Sequence, residues 1–201
     1  MEIIWLKHAA FKIKTNDGKV IYLDPYQIPK DEEKADLIIA SHEHGDHFDK
    51  KSIKNLIKDN TLIIGPASIS NLLEKFKGKG LKYNEIFEWN GVKIELVPAY
   101  NIKRKRPDTN QPFHPKENEW AGTILEIEGK KIYHAGDTEH IPEMKELKSK
   151  NITVAMIPCG GTYTMDYQEA AEATIDIKPE IVVPMHNSLT IRSECKIGTS
   201  H

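Results

Sequence analysis

Ser41-His42-Glu43-His44-Gly45-Asp46-His47-Phe48 places three histidines and two acids within the six residues from His42 to His47. With each residue drawn at its own frequency, His-x-His-x-Asp-His would arise about once in a thousand chains of this length, so the pattern is a specific signal. The apolar run Asp36-Leu37-Ile38-Ile39-Ala40 just before it is the kind that forms a short buried strand. Two residues apart in extended chain, His42 and His44 project to the same side. Gly45 lets the backbone turn without steric cost, so that Asp46 and His47 reach back toward them. Two half-sites a few ångströms apart are therefore expected. Neutral imidazoles and carboxylates suit borderline divalent ions, and two such ions about 3.5–4 Å apart are a recurring hydrolytic arrangement.

The composition bounds what surrounds this stretch. A chain of 201 residues with 39% hydrophobic content can bury one sizeable core and reads as a single domain, residues 1–201. Its 28 basic and 30 acidic residues leave a formal charge of -2, which argues against wholesale coating of nucleic acid or membrane and leaves room for a local patch only; the partner expected is a small-molecule substrate. Oligomeric state leaves no such mark. The two cysteines, Cys159 and Cys195, form neither a C-x-x-C nor a disulfide framework, so a reducing, cytoplasmic setting is expected. Met1–Lys7 is too short and too soon interrupted by charge to act as a signal peptide, and no apolar window approaches a membrane span.

Working outward, Ile3–Lys7, Ala10–Thr15 and Val20–Asp24 read as strands, the last two joined by the turn signal Asn16-Asp17-Gly18-Lys19. Asp49 can cap a helix with Ile53, Leu56 and Ile57 on its apolar face. Thr61–Ile64 reads as a strand, Gly65-Pro66 as a break, and Ile69, Leu72, Leu73 and Phe76 as the apolar face of a second helix. Hairpins follow around Asn90-Gly91 and Gly129-Lys130, then a helix over Pro142–Lys148, a buried strand over Ile152–Ile157, a helix over Asp166–Ile177 and a strand over Glu180–Val183. Hairpins mixed with helices imply α/β layers with antiparallel or mixed sheets and helices outside. Trp5, Trp89 and Trp120 read as core.

Further chemistry-bearing residues follow strands. Lys131–His134 leads into Ala135-Gly136-Asp137-Thr138, and Ile181–Val183 into Pro184-Met185-His186. A lone Asp or His after a strand is commonly a turn residue, but a metal-ligand cluster upstream changes that weighting. His134 fits packing or support of a ligand better than ligation, His140 solvent, and His201 the terminus. Cys159 fits a small buried thiol. Gly160-Gly161-Thr162 suits either a tight turn or backbone amides that approach an anion.

These motifs resemble those of the metallo-β-lactamase fold superfamily: His42-x-His44-x-Asp46-His47, Gly136-Asp137-Thr138 and Pro184-Met185-His186. Leu6-Lys7-His8-Ala9-Ala10-Phe11, Tyr133-His134-Ala135-Gly136-Asp137-Thr138 and Pro158–Met165 are similar to its compact metal-dependent hydrolases related to the UlaG lactonase, across residues 1–186. The resemblance implies a four-layer αβ/βα sandwich of two mixed sheets with outer helices, and two divalent ions, zinc by default with manganese or iron also compatible. His42 and His44 would then bind the first ion, Asp46, His47 and His186 the second, and Asp137 both. A hydroxide held between the ions would be the nucleophile, with Asp46 orienting it or carrying a proton to the leaving group. The superfamily hosts many hydrolytic activities, so the substrate does not follow from the fold.

The chain departs from the pattern where the third histidine of the first ion is expected. The strand Lys93–Val97 runs into Pro98-Ala99-Tyr100-Asn101, and tyrosine is a poor neutral ligand. His114 is the best local replacement and His8 another candidate; a water there or a mononuclear site is the plain alternative. The loop before His114 carries Lys103-Arg104-Lys105-Arg106. Such a run is stable in water without a partner, but Arg104 and Arg106 could also bind an anionic substrate through paired donors. After His186, residues 187–201 supply about one short element. The expected function is hydrolysis of a small anionic ester-type substrate, a phosphodiester or lactone; the alternative is a catalytically silent metal-binding or regulatory module.

Overall fold

The computed structural model of the chain describes residues 1–187. The expected closing element, Cys195 and His201 lie outside the described residues. The chain divides into two compact units, residues 1–81 and a second beginning at Lys82, and each is built on one six-stranded mixed sheet. Among the described residues no helix is long and apolar enough to cross a membrane.

In the first unit β1 (Glu2–Lys7), β2 (Ala10–Lys14) and β3 (Val20–Leu23) form an antiparallel meander. Parallel to β3 follow β4 (Leu37–Ile39), then, past helix α1 (Lys50–Leu56), β5 (Leu62–Pro66). A short helix α2 (Ser70–Leu73) leads to the parallel edge strand β6 (Lys79–Leu81). Ile21, Leu37, Ile38 and Ile63 are fully buried, which is why the central strands read as unbroken apolar runs. Asp49 caps α1 as its sequence predicts, accepting the Lys51 N–H at 3.0 Å, while Ile53 and Leu56 face inward.

Two local expectations are corrected. Gly65-Pro66 does not break the chain: β5 runs through Pro66, which pairs only with Leu81 of β6, because the β4 register ends at Ile39–Ile64. A proline tolerates that place, since no bond to β4 is lost there. The helix expected over residues 69–76 is instead α2 between two 3₁₀ turns, 67–69 and 74–76. Strand β6 escapes the sequence pattern because Gly78 and Gly80 interrupt it; a Cβ on Gly80 would meet Ser70 Oγ at 2.4 Å, so this close packing needs glycine.

In the second unit β7 (Ile86–Trp89), β8 (Val92–Pro98), β9 (Ala121–Ile127) and β10 (Lys130–His134) are antiparallel neighbours. Next come β11 (Val154–Pro158), α3 (Tyr167–Ile177) and β12 (Ile181–Met185), the two strands parallel to β10. Asn90 and Gly91 both have positive φ, as a two-residue hairpin turn requires. The second hairpin turns at Glu128-Gly129, one residue earlier than expected. Residues 142–150 form a 3₁₀ segment rather than an α-helix. Asp166 caps α3 in a reciprocal capping box with Glu169. Trp120 is buried, whereas Trp5 and Trp89 are half-buried rather than core.

Strand direction gathers the functional residues within each unit. In the first, β1, β3 and β4 point the same way and end at one edge, where His8, Asp24 and Ser41-His42 follow them. In the second, β8, β10, β11 and β12 share a direction, and their ends deliver Asn101, Asp137, Gly160 and His186. Placing groups beyond the carboxyl ends of like-directed strands is the usual way an α/β sheet builds a site. His8, Asp24 and His186 each leave their strand with positive φ, 55°, 43° and 51°. That conformation costs a non-glycine residue about 1–2 kcal/mol and concentrates at functional positions.

Candidate metal centre

The first unit holds five expected or candidate ligands around one buried carboxylate. Asp24, 1% exposed, accepts the Ser41 N–H at 2.7 Å, the Ser41 hydroxyl at 2.6 Å and His47 Nδ1 at 2.6 Å. Because a carboxylate only accepts, His47 carries its proton on Nδ1 and keeps Nε2 as a lone-pair donor. Ser41 donates to Asp24, so its oxygen can accept from His42 Nδ1 at 2.9 Å, which directs His42 Nε2 outward in the same way. His42 Nε2 stands 3.0 Å from His44 Nδ1. His8 Nε2 lies 3.1 Å from Asp46 Oδ2, and His8, Asp46 and His47 each offer a ligand atom within 4.8 Å of the others. His8 therefore joins the Asp46–His47 pair rather than completing the His42–His44 pair.

The second unit converges on Asp137. His114 Nε2 and His186 Nε2 each lie 3.2 Å from Asp137 Oδ2, and all three residues are buried. His114 comes from the loop after β8, and Asn101 holds it there. Asn101 Oδ1 accepts the His114 backbone N–H at 2.8 Å and meets His114 Nδ1 at 2.5 Å, while Asn101 Nδ2 donates to the Tyr163 carbonyl at 3.0 Å. The backbone N–H can only donate, so the facing atom is the amide oxygen and Nδ1 bears the ring proton. Nε2 of His114, facing Asp137, is then the ring atom left to ligate an ion. Tyr100, at the strand position where a histidine is expected, turns its hydroxyl to Glu143 at 2.8 Å.

Neutral histidines whose other ring nitrogen is held by a carboxylate, hydroxyl or amide oxygen, together with carboxylates, are a donor set for a divalent ion. The residues present fit that group. Asp24, Ser41 and Asn101 were not read from sequence. Asp24-Pro25 looks like a strand end, and Asn101 looks like part of a loop; only their partners give them a role.

The remaining expected residues fall elsewhere. Arg104 is 15% exposed and bound inside the unit: Nε donates to the Gly161 carbonyl at 2.8 Å, and the guanidinium meets Glu139 at 3.1 Å, Glu169 at 2.5 Å and Asp166 at 3.3 Å. Arg106 is exposed, with its guanidinium 5.3 Å over the Phe113 ring, and among the described residues no carboxylate pairs with it. Phe113 in turn packs edge-on against the half-exposed Tyr163, ring centroids 4.8 Å apart. His134 is buried and accepts the Gly136 N–H at 3.2 Å, a turn contact. His140 is not simply solvated: it is half-buried, with Nε2 2.8 Å from Asp176. Cys159 is half-buried, and burial pushes its thiol pKa up. The Gly161 N–H is taken by the Met165 carbonyl at 2.9 Å, so it serves a turn.

Two mixed sheets with helices and this histidine–carboxylate donor set define a metallo-hydrolase of the metallo-β-lactamase fold. A family model described as a β-lactamase superfamily domain matches residues 2–186. The UPF0173 metal-dependent hydrolase PYRAB05000 of Pyrococcus abyssi is 36% identical over 92% of this chain and 84% of its own. A crystal structure from Parabacteroides distasonis, described as that of a metal-dependent hydrolase, is 38% identical with a TM-score of 0.83, covering 94% of this chain and 83% of that one. Igni18, a metallo hydrolase of the archaeon Ignicoccus hospitalis, is 27% identical with a TM-score of 0.73, over 92% and 82%. The chain belongs to the β-lactamase superfamily, among the UPF0173 metal-dependent hydrolases.

Proposed function

We propose that this protein hydrolyses a small anionic ester-type substrate, a phosphodiester or a lactone, at a dinuclear centre of the compact lactonase type. The ligands proposed are those read from the sequence, His42, His44, Asp46, His47, His114, Asp137 and His186, which would hold two divalent ions, zinc by default with manganese or iron compatible. The observation that carries this reading is the fixing of Nδ1 protons on His47 and His114 by Asp24 and Asn101, which leaves the Nε2 atoms as ligands.

Such ions supply Lewis acidity, activating water near neutral pH and polarising the carbonyl or phosphoryl group. The chain's own residues do the rest. Asp46, with 38% of its side chain exposed against 22% for His8 and 0% for His47, orients the attacking water and carries its proton to the leaving group. His8, 3.1 Å from Asp46 Oδ2, steers that carboxylate. Arg106 on its Phe113 platform meets the anionic part of the substrate, with arginine's paired donors matched to a carboxylate or phosphate.

Elemental analysis of protein purified without chelator or added metal tests the centre. A value near two ions per chain, with turnover in an ester, lactone and phosphodiester screen, is expected. One ion would leave a mononuclear hydrolase, and no uptake on reconstitution would sink the catalytic reading. A cytoplasmic setting, proposed from the sparse cysteines, is checked by fractionation.

A further inference from the structure

We infer that Arg104 is a positioning residue of the metal centre, tying the segments that carry His114 and Asp137 to the turn that packs against His186. The inference rests on the proposed ligand roles of those residues.

The contacts of the guanidinium fall on two segments besides its own, the turn that carries Asp137 and the turn after β11 that packs against His186. Arg104 itself lies in the loop that ends at His114. Its contact with Glu139 reaches the turn after β10, two residues beyond Asp137. Glu139, 2% exposed, also accepts the backbone N–H groups of Ile102, Lys103 and Arg104, each at 2.6 Å. Thr138 and Glu139 extend this seam: the Thr138 hydroxyl bonds both the N–H and the carbonyl of Tyr100, and the Glu139 N–H donates to the same carbonyl. Loop and turn are therefore joined from residue 100 to residue 104.

The third segment is the turn after β11. Arg104 Nε donates to Gly161, and the guanidinium meets Asp166 and Glu169 at the start of α3. That turn is the seat of His186: a Cβ on Gly160 would stand 2.4 Å from the His186 carbonyl oxygen and 3.4 Å from its Nδ1. One cation thus joins the carriers of His114 and Asp137 to the turn packed against His186, and offsets three clustered carboxylates. A flat guanidinium with several donors can do this; a lysine carries the charge but not the geometry.

The test is zinc affinity by competition with a chromophoric chelator, for wild type, Arg104→Gln, Arg104→Lys, His114→Ala and the double variant Arg104→Gln/His114→Ala. Lys105→Gln serves as a charge control on the same loop. Loss of a group that orients a ligand weakens affinity about 10–100-fold, and that is expected of Arg104→Gln, with a smaller loss for Arg104→Lys and none for Lys105→Gln. In the His114→Ala background Arg104→Gln should add clearly less than it does alone, a coupling that general loosening of the unit does not produce. Cobalt(II) absorption of Arg104→Lys provides the second readout, with a changed ligand-field band expected even where Arg104→Gln folds poorly. Variants that bind zinc as tightly as wild type, or losses fully additive with His114→Ala, overturn the inference while leaving the centre intact. A wild type that takes up no metal overturns both.

Discussion

One oxygen of Asn101 accepts two bonds from His114, from the backbone N–H at 2.8 Å and from the ring at 2.5 Å. It thereby fixes the position and the tautomer of a histidine that the strand itself does not carry. Asn101→Ala should weaken zinc binding about 10–100-fold while His114→Ala weakens it further. Chelator competition measures both. If His114→Ala leaves metal content and activity unchanged, His114 is not a ligand.

Asp24 plays the matching part in the first unit, with His47 at 2.6 Å and Ser41 at 2.6 and 2.7 Å. Asp24→Asn removes a charged acceptor and frees the His47 ring to change tautomer. A loss of metal affinity of about 10–100-fold is expected, read by the same competition, with Ser41→Ala showing a smaller loss because its hydroxyl reaches His42 at 2.9 Å but His47 only at 3.4 Å. Unchanged affinity in Asp24→Asn would show that the carboxylate only ends the strand.

Gly160→Ala tests close packing at His186. The new Cβ would meet the His186 carbonyl oxygen at 2.4 Å, and backbone must shift to admit it. Overpacking of this kind costs about 1–3 kcal/mol, so a lower Tm and weaker metal binding are expected together. Gly18→Ala is the contrast: nothing lies within 4 Å of its Cβ, but its φ of 85° is strained for alanine, so it should lower Tm without altering metal affinity.

Arg106→Ala should raise KM for an anionic substrate roughly tenfold, the scale of a hydrogen bond to a charged group, and leave a neutral analogue nearly unaffected. Equal effects on both would remove Arg106 from recognition. Steady-state kinetics on a matched pair of esters decides it.

Acid stability should depend on the cluster of Lys12 with Glu32 and Glu33, at 2.7 and 3.0 Å. Burial raises the Glu32 pKa, but Lys12 and the Glu33 N–H outweigh it and hold the carboxyl below its ordinary value; Lys14 and then Lys12 do the same for Glu33. Depressed carboxyl pKa values contribute stability that is present above the unfolded value of about 4.3 and is lost as pH falls through the folded one. In metal-free protein, Tm of wild type should therefore fall more steeply below about pH 5 than that of Glu32→Gln/Glu33→Gln. Parallel curves would remove the cluster from acid unfolding.

The sequence by itself determined the elements and the chemistry of the donors. Alternating and continuous apolar runs mark most strands, because each strand's burial is written in its own side chains, and Asp49 is found as a helix cap because capping is local. His42, His44, Asp46 and His47 stand out because their spacing alone limits what they can do. Only tertiary structure decided which groups support them. Asp24 lies 23 residues from His47 and Asn101 lies 13 from His114, and nothing in a short window distinguishes such residues from turn formers. The same limit explains Arg104: in sequence it is one of four adjacent bases, but folding brings Glu139, Asp166 and Glu169 to it, and an ion pair between distant residues leaves no local pattern. Strand direction supplied the rest, by carrying the ends of β8, β10, β11 and β12 to one edge of their sheet.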